Sequence, residues 1–156
     1  TGKVWEQRAE WARQLESGDP EICFSAIHAM GDSPDTETIR LLIIGLENPL
    51  WRVREAAFDA LVHMGEPAVP PLIEALGDSH EQVVTRAVLV LGALRAQDAT
   101  EPLIALLETG REWITAIVWA LGEIGNRRAI TPLTRFLNSS NLQVASEAEA
   151  ALKKFG

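Results

Sequence analysis

One segment recurs four times in this chain at a spacing of 30 or 31 residues, and that period decides what the polypeptide can fold into. Val53–Gly65 (VREAAFDALVHMG), Val83–Arg95 (VVTRAVLVLGALR), Trp113–Gly125 (WITAIVWALGEIG) and Val144–Gly156 (VASEAEAALKKFG) align on their last residues. Ala57, Ala87, Ile117 and Ala148 share one column, and Leu61, Leu91, Leu121 and Leu152 another. Met64, Leu94, Ile124 and Phe155 form a third, followed by Gly65, Arg95, Gly125 and Gly156. Apolar residues at i, i+4 and i+8 lie on one side of an α-helix, and the glycines stand where a left-handed cap ends one. A unit this short cannot bury its own apolar stripe, so neighbouring units must stack on one another.

The stretches between these segments repeat as well. Ala68, Ala99 and Ala129 are each followed three places on by Pro71, Pro102 and Pro132, and then by Leu72, Leu103 and Leu133. Leu76, Leu107 and Leu137 come one helical turn later, and Leu42 and Leu46 fit the same slots one repeat earlier. Proline is tolerated in an opening helical turn, where its missing N–H has no acceptor to lose. Turns are expected at Asn48-Pro49, Gly77–Ser79, Thr109-Gly110 and Asn138–Ser140, which are capping and breaking residues. Trp11 and Leu15 fill the leucine slots of a looser first unit, whose second helix is Ile22–Met30, closed by Gly31. The expected fold is all-α: a right-handed α-solenoid of about five antiparallel helix pairs, with no β-sheet. It forms one domain over residues 1–156, with repeats at about 4–31, 35–65, 67–95, 98–125 and 128–156. Trp11 and Leu15 are expected to close the first open end, and Glu147, Glu149, Lys153 and Lys154 to make the last helix polar enough to end the stack.

The run Trp51-Arg52-Val53-Arg54-Glu55-Ala56-Ala57, with Ala60-Leu61 and Met64-Gly65 and then Ala68-Val69, Pro71-Leu72-Ile73-Glu74-Ala75-Leu76, resembles the HEAT-like repeat named after phycobilisome bilin lyases. The resemblance covers residues 35–156 well and 4–31 more loosely, and Gly125–Leu133 matches its inter-repeat turn. It implies the fold. For function it implies only a range, because such repeats occur in scaffolds, lyase subunits and hydroxylases alike.

Chemistry is sparse. Acidic residues outnumber basic ones 22 to 14, a net charge of −8, and the only lysines are Lys3, Lys153 and Lys154. No basic tract offsets this charge, so nucleic acid and anionic membrane surfaces are excluded as partners. Apolar runs such as Leu41–Ile44 and Ala87–Leu91 fall far short of the roughly 18 residues that span a bilayer. The single cysteine, Cys23, has apolar neighbours and is read as a buried thiol, which fits a reducing, cytoplasmic setting. The chain starts Thr1-Gly2-Lys3 without an initiator Met, so a processed or excised piece is expected. Of the His-Glu pairs that hold iron in the deoxyhypusine hydroxylases, only His80-Glu81 has the form here. His80 is read instead as a solvent-facing residue at a helix start, and His28 and His63 as residues stabilising helix ends. No catalytic triad, phosphate loop, metal set or cofactor site is expected.

The columns that do not follow the repeat are more informative. On the free face of the second helices, expected to be concave, the columns are Trp51, Glu81, Arg111, Leu142; Arg52, Gln82, Glu112, Gln143; and Glu55, Thr85, Thr115, Ser146. Two more hold Ala56, Arg86, Ala116, Glu147 and Asp59, Leu89, Trp119, Ala150. Trp51, Leu89 and Trp119 are apolar where solvent would favour polar residues, and aromatics beside arginine are the usual composition of binding hot spots. The expected partner-binding residues are Trp51, Arg52, Glu55, Asp59 and Arg86 from the earlier repeats, with Leu89, Arg111, Glu112, Thr115 and Trp119 from the later ones. Trp113 replaces Val53 and Val83 in a core column and is expected to be mostly buried. The expected function is that of a non-catalytic scaffold binding another protein, one with an apolar anchor and some basic character. The resemblance implies an alternative, a bilin lyase or phycobiliprotein-handling subunit, although no residue marks a bilin pocket.

Overall fold

The computed structural model describes residues 2–78, 80–109 and 113–156. They form ten α-helices, and no strand occurs among the described residues. The chain divides into two compact units, Thr1–Arg86 and Ala87–Gly156. The first holds α1 (Gly2–Leu15), α2 (Pro20–Met30), α3 (Thr36–Gly45), α4 (Trp51–Met64) and α5 (Val69–Ala75). The boundary falls inside α6 (Glu81–Ala93), and the second unit continues with α7 (Thr100–Leu107), α8 (Ile114–Ile124), α9 (Ile130–Thr134) and α10 (Leu142–Lys153). One-turn 3-10 segments at Glu66–Ala68, Gln97–Ala99 and Arg127–Ala129 lead into α5, α7 and α9. These are the Ala-containing joints that precede each proline in the sequence.

Local chemistry sets the helix ends. Asp19 caps α2, accepting from the Glu21 N–H at 2.9 Å, and Asn141 caps α10, accepting from Gln143 and Val144. Asp35 caps α3 with 3.0 Å from the Thr38 N–H, and it also accepts the Thr38 hydroxyl and the Arg8 guanidinium, each at 2.8 Å. Burial pushes the Asp35 carboxyl up, but the Thr38 and Arg8 donors outweigh that and hold it below the ordinary carboxylate value. Arg8 thus ties α1 to the start of α3.

Gly125 takes the left-handed cap that the repeat predicts, with φ 70° and ψ 19°. Gly65 also has positive φ, 75°, but with ψ −137° it lies outside the left-handed helical region, and Arg95 in the same column takes φ 53°. Gly31 departs from its expected left-handed cap, with φ −58°. Asp32 and Ser33 carry the chain on in right-handed turns bonded to Ala29 and Met30, so no reversal is needed there.

The repeat columns are the core. Val53, Ala57, Leu61, Leu42, Leu46 and Leu72 are wholly buried in the first unit, as are Leu91, Leu121, Leu103 and Leu133 in the second. Each such leucine is worth about 1.5–3 kcal/mol of apolar transfer. Trp11 and Leu15 are buried against their own unit. Trp113 stands just ahead of α8 rather than inside it and is half-buried, because the chain has not yet entered the helix at that residue. At the far end the columns open, and Leu137 is 39% and Leu142 83% exposed.

Two glycines set how closely the second helices of the later unit approach. A Cβ built at Gly122 would stand 2.8 Å from Ala151 Cβ and 3.0 Å from its Cα. One at Gly92 would stand 2.9 Å from both Ala120 atoms and 2.6 Å from Trp119 Cζ3. Real side-chain carbons do not come so near, so α8 and α10 can pack this tightly only over glycine.

Candidate functional site

The first unit behaves differently at the equivalent place. Its second helices, α2 and α4, pack side by side, yet a groove of ≈ 510 Å³ opens between them. Phe24, Ile27, His28 and Gly31 line one wall from α2, and Ala56, Asp59, Ala60 and His63 the other from α4. Both sets run i, i+3, i+4, i+7, the spacing that places residues on one helix face, and Asp32 adds a carboxylate just past α2. Ile27 is buried and Phe24, Ala56 and Ala60 are half-buried, so the floor is apolar, while His28, Asp32, Asp59 and His63 stand exposed at the rim. Neither carboxylate has a hydrogen-bond or ion-pair partner among the described residues.

Trp51 opens α4 and is 60% exposed. The Arg52 guanidinium carbon lies 5.4 Å from the centroid of its ring, a cation–π distance. Glu55 and Asp59 are exposed one and two turns further along α4. Trp51, Arg52, Glu55 and Asp59 are therefore brought onto the solvent side of a single helix.

The remaining expected residues are placed otherwise. Arg86 is half-buried, and its Nη1 donates to the Leu46 carbonyl at 2.8 Å and to Gln82 Oε1 at 3.2 Å. Burial, and then the neighbouring Arg54, lower its pKa from the ordinary guanidinium value, with Glu47 acting against them. Arg54 serves the same turn, donating to the carbonyls of Asn48 and Pro49. The two arginines therefore satisfy carbonyls left open after α3. In the second unit Leu89, Thr115 and Trp119 are each half-buried, and the Trp119 ring lies over the Gly92 backbone. Arg111 and Glu112 lie outside the described residues.

The sequence columns missed His28, Asp32 and Phe24 because the first repeat was too degenerate to be read into them. Counting back from Gly31 as from Gly65 puts His28 in the column of Gly92 and Gly122. Leu142 stood on the free face in the columns but was not among the expected partner-binding residues. It shares a column with Trp51, and it is the more exposed of the two.

His80 is exposed, and its carbonyl accepts from Val83 and Val84 at the start of α6. Asp78 lies 2.9 Å from its Nδ1 and Glu47 3.9 Å. The Asp78 hydrogen bond, with the nearby Glu47 charge, raises the His80 pKa. Among the described residues no three His, Cys, Asp or Glu side chains are grouped so as to hold a metal ion. No helix among them is long and apolar enough to cross a membrane. A more apolar recess of ≈ 420 Å³ lies in the first unit at Ala12, Leu15, Leu41, Ile44, Pro49 and Leu50.

The model of HEAT repeats matches residues 9–91 and 69–153. The chain belongs to the HEAT-repeat family. Among solved structures, this HEAT-repeat chain is similar to the complex of CpcE and CpcF of phycocyanin lyase from Nostoc sp. PCC7120, at TM-score 0.64 and 26% identity. That match covers 95% of this chain and 64% of the lyase chain, so the chain spans less than two thirds of that relative's length. It also matches a designed armadillo repeat protein solved in complex with the peptide (KR)4, at TM-score 0.58 and 21% identity, over 94% of this chain and 80% of the other. The second likeness shows fold alone. Comparison with curated protein sequences gives no match.

Proposed function

We propose that this HEAT-repeat chain is a non-catalytic, cytoplasmic protein-binding module whose partner docks on the solvent side of the second helices. The observation that carries the reading is Trp51, a tryptophan 60% exposed in a column where solvent contact favours polar residues, with Arg52 stacked on it. Such an aromatic held rigidly on a helix loses little freedom on binding. Glu55 and Asp59 extend the surface along α4, with Arg86 beside it, and Leu89, Arg111, Glu112, Thr115 and Trp119 supply the later repeats' share.

A direct comparison tests this. Native lysate is passed over immobilised wild-type chain and over a Trp51→Ala/Arg52→Ala variant, with circular dichroism and melting of both in parallel. The variant is expected to keep its helical signal and melting temperature while losing the captured partner. Equal capture by both chains, or an unfolded variant, defeats the reading.

A second reading has a specific observation in its favour, the likeness to the phycocyanin lyase complex. On that reading the chain is a bilin lyase or phycobiliprotein-handling subunit and contacts a partner subunit by the same face. Mixing the chain with a free bilin and following its visible absorbance separates the two readings: a shift with bound pigment favours the lyase, an unchanged spectrum the binding module.

A further inference from the structure

We infer that the groove between α2 and α4 seats an arginine side chain presented by a peptide segment of the partner. The inference rests on the reading of this face as a protein-binding surface and names the chemistry of what binds. The floor of Phe24, Ile27, Ala56 and Ala60 suits the aliphatic stem of a long side chain, which buries its methylenes while its charged end stays at the rim. At that rim Asp32 and Asp59 carry two negative charges with no counter-charge among the described residues. A segment covering the groove strips water from both, and a carboxylate dehydrated without a donor is strongly disfavoured. A purely apolar anchor therefore fits the floor and fails at the rim. A phosphate or acidic segment is repelled, both by the rim and by a chain of net charge −8. A guanidinium answers both parts. Its planar fork can donate to carboxylates in pairs, and its face can lie against the Phe24 ring or the imidazoles of His28 and His63. A volume of ≈ 510 Å³ is ample for one such side chain and its flanking backbone.

The test is fluorescence anisotropy with a labelled short peptide alternating arginine and leucine, against the same peptide with citrulline in place of arginine. Citrulline keeps the shape and removes the charge. The wild-type chain is compared with Asp32→Asn/Asp59→Asn and with Glu6→Gln/Glu16→Gln, which changes the net charge equally at exposed α1 and post-α1 positions away from the groove. The aspartate pair is expected to weaken the arginine peptide about tenfold, the size of two partly screened charge pairs, and the control by less than about twofold. Citrulline should forfeit the same about tenfold on the wild-type chain. Equal losses from both double variants, or equal binding of the two peptides, overturns the inference. If the peptides bind alike while Trp51→Ala/Arg52→Ala still abolishes partner capture, the surface binds protein without a cationic seat. In that case only the inference falls.

Discussion

The pair α2/α4 in the first unit and the pair α8/α10 in the second are built from the same columns and end in opposite surfaces. Three residues before the closing glycine, α8 has Gly122 and α2 has His28; five before it, the facing helices have Ala151 and Ala60. With glycine the helices meet backbone to side chain at about van der Waals limits, and a Cβ there would come within 2.8 Å of Ala151. With histidine a groove of ≈ 510 Å³ remains, its rim charged. The core columns are apolar in both units. That position is glycine where the seam is closed and histidine where it stands open, and Phe24, Asp59 and His63 also stand where the closed pair has Val118, Ala150 and Lys154.

The largest expected effect comes from forcing the sealed seam. Gly92→Ala and Gly122→Ala each place a methyl within 3.0 Å of backbone or Cβ atoms of the next helix. Such overpacking costs about 1–3 kcal/mol, partly offset by the roughly 1 kcal/mol that alanine gains over glycine in a helix. Each variant should melt several degrees lower than wild type. His28→Ala, in the same column of the open seam, should change the melting temperature by little, since it is exposed. Near-equal melting of Gly122→Ala and His28→Ala would show that the column does not control the seam.

Much of this was legible beforehand, and the reason is periodicity. Columns of Leu61, Leu91 and Leu121 and of Ala57, Ala87 and Ile117 announce buried positions because burial in a stack repeats with the stack. Trp51 was legible as an exception to a polar column. Trp119 stands out from its column in the same way, but its half-burial was not legible, because it depends on Gly92 one repeat earlier, which gives its ring a place to lie. The groove was not legible at all. It needs His28 and Asp32 from the one unit that follows the repeat loosely, and Asp32 lies past the helix, where no periodicity assigns a face.

The joints between helices give the next effects. Asp35→Ala removes the cap of α3 and the Arg8 tie together, and loss of such a cap costs about 1 kcal/mol. The Asp35 carboxyl is held below its ordinary value of 3.8. Its contribution is therefore present above that pH and is lost as pH falls through the lower, folded value. Wild type and variant should converge in melting temperature under strong acid and diverge above about pH 4. At the other kind of joint Arg95 holds φ 53° in the column of Gly125. Left-handed backbone is strained for a side chain, so Arg95→Gly should raise stability by about 0.5 kcal/mol once the freedom of glycine in the unfolded chain is counted. Gly125→Ala should lower it by about 1 kcal/mol, from strain alone, because nothing lies within 4 Å of its would-be Cβ.

The smallest effect supplies an internal reference for the groove. His80 belongs to the same unit as His28 and His63, but it already has Asp78 at 2.9 Å and Glu47 at 3.9 Å. Those carboxylates raise its pKa above 6.5. A raised histidine contributes stability that is full below its unfolded value and is lost as pH rises through the folded one. Its ring resonances should titrate with a midpoint above 6.5, and the melting difference between wild type and His80→Gln should shrink as the solution becomes alkaline. A midpoint at or below 6.5 would show that the Asp78 contact does not persist in solution. Because His80 is saturated by its own neighbours and lies outside the groove, the arginine peptide should shift the ring signals of His28 and His63 and leave those of His80 in place. A shift at all three would mean that the peptide follows the general negative field of the chain, and that an open seam with unpaired carboxylates does not by itself make a seat.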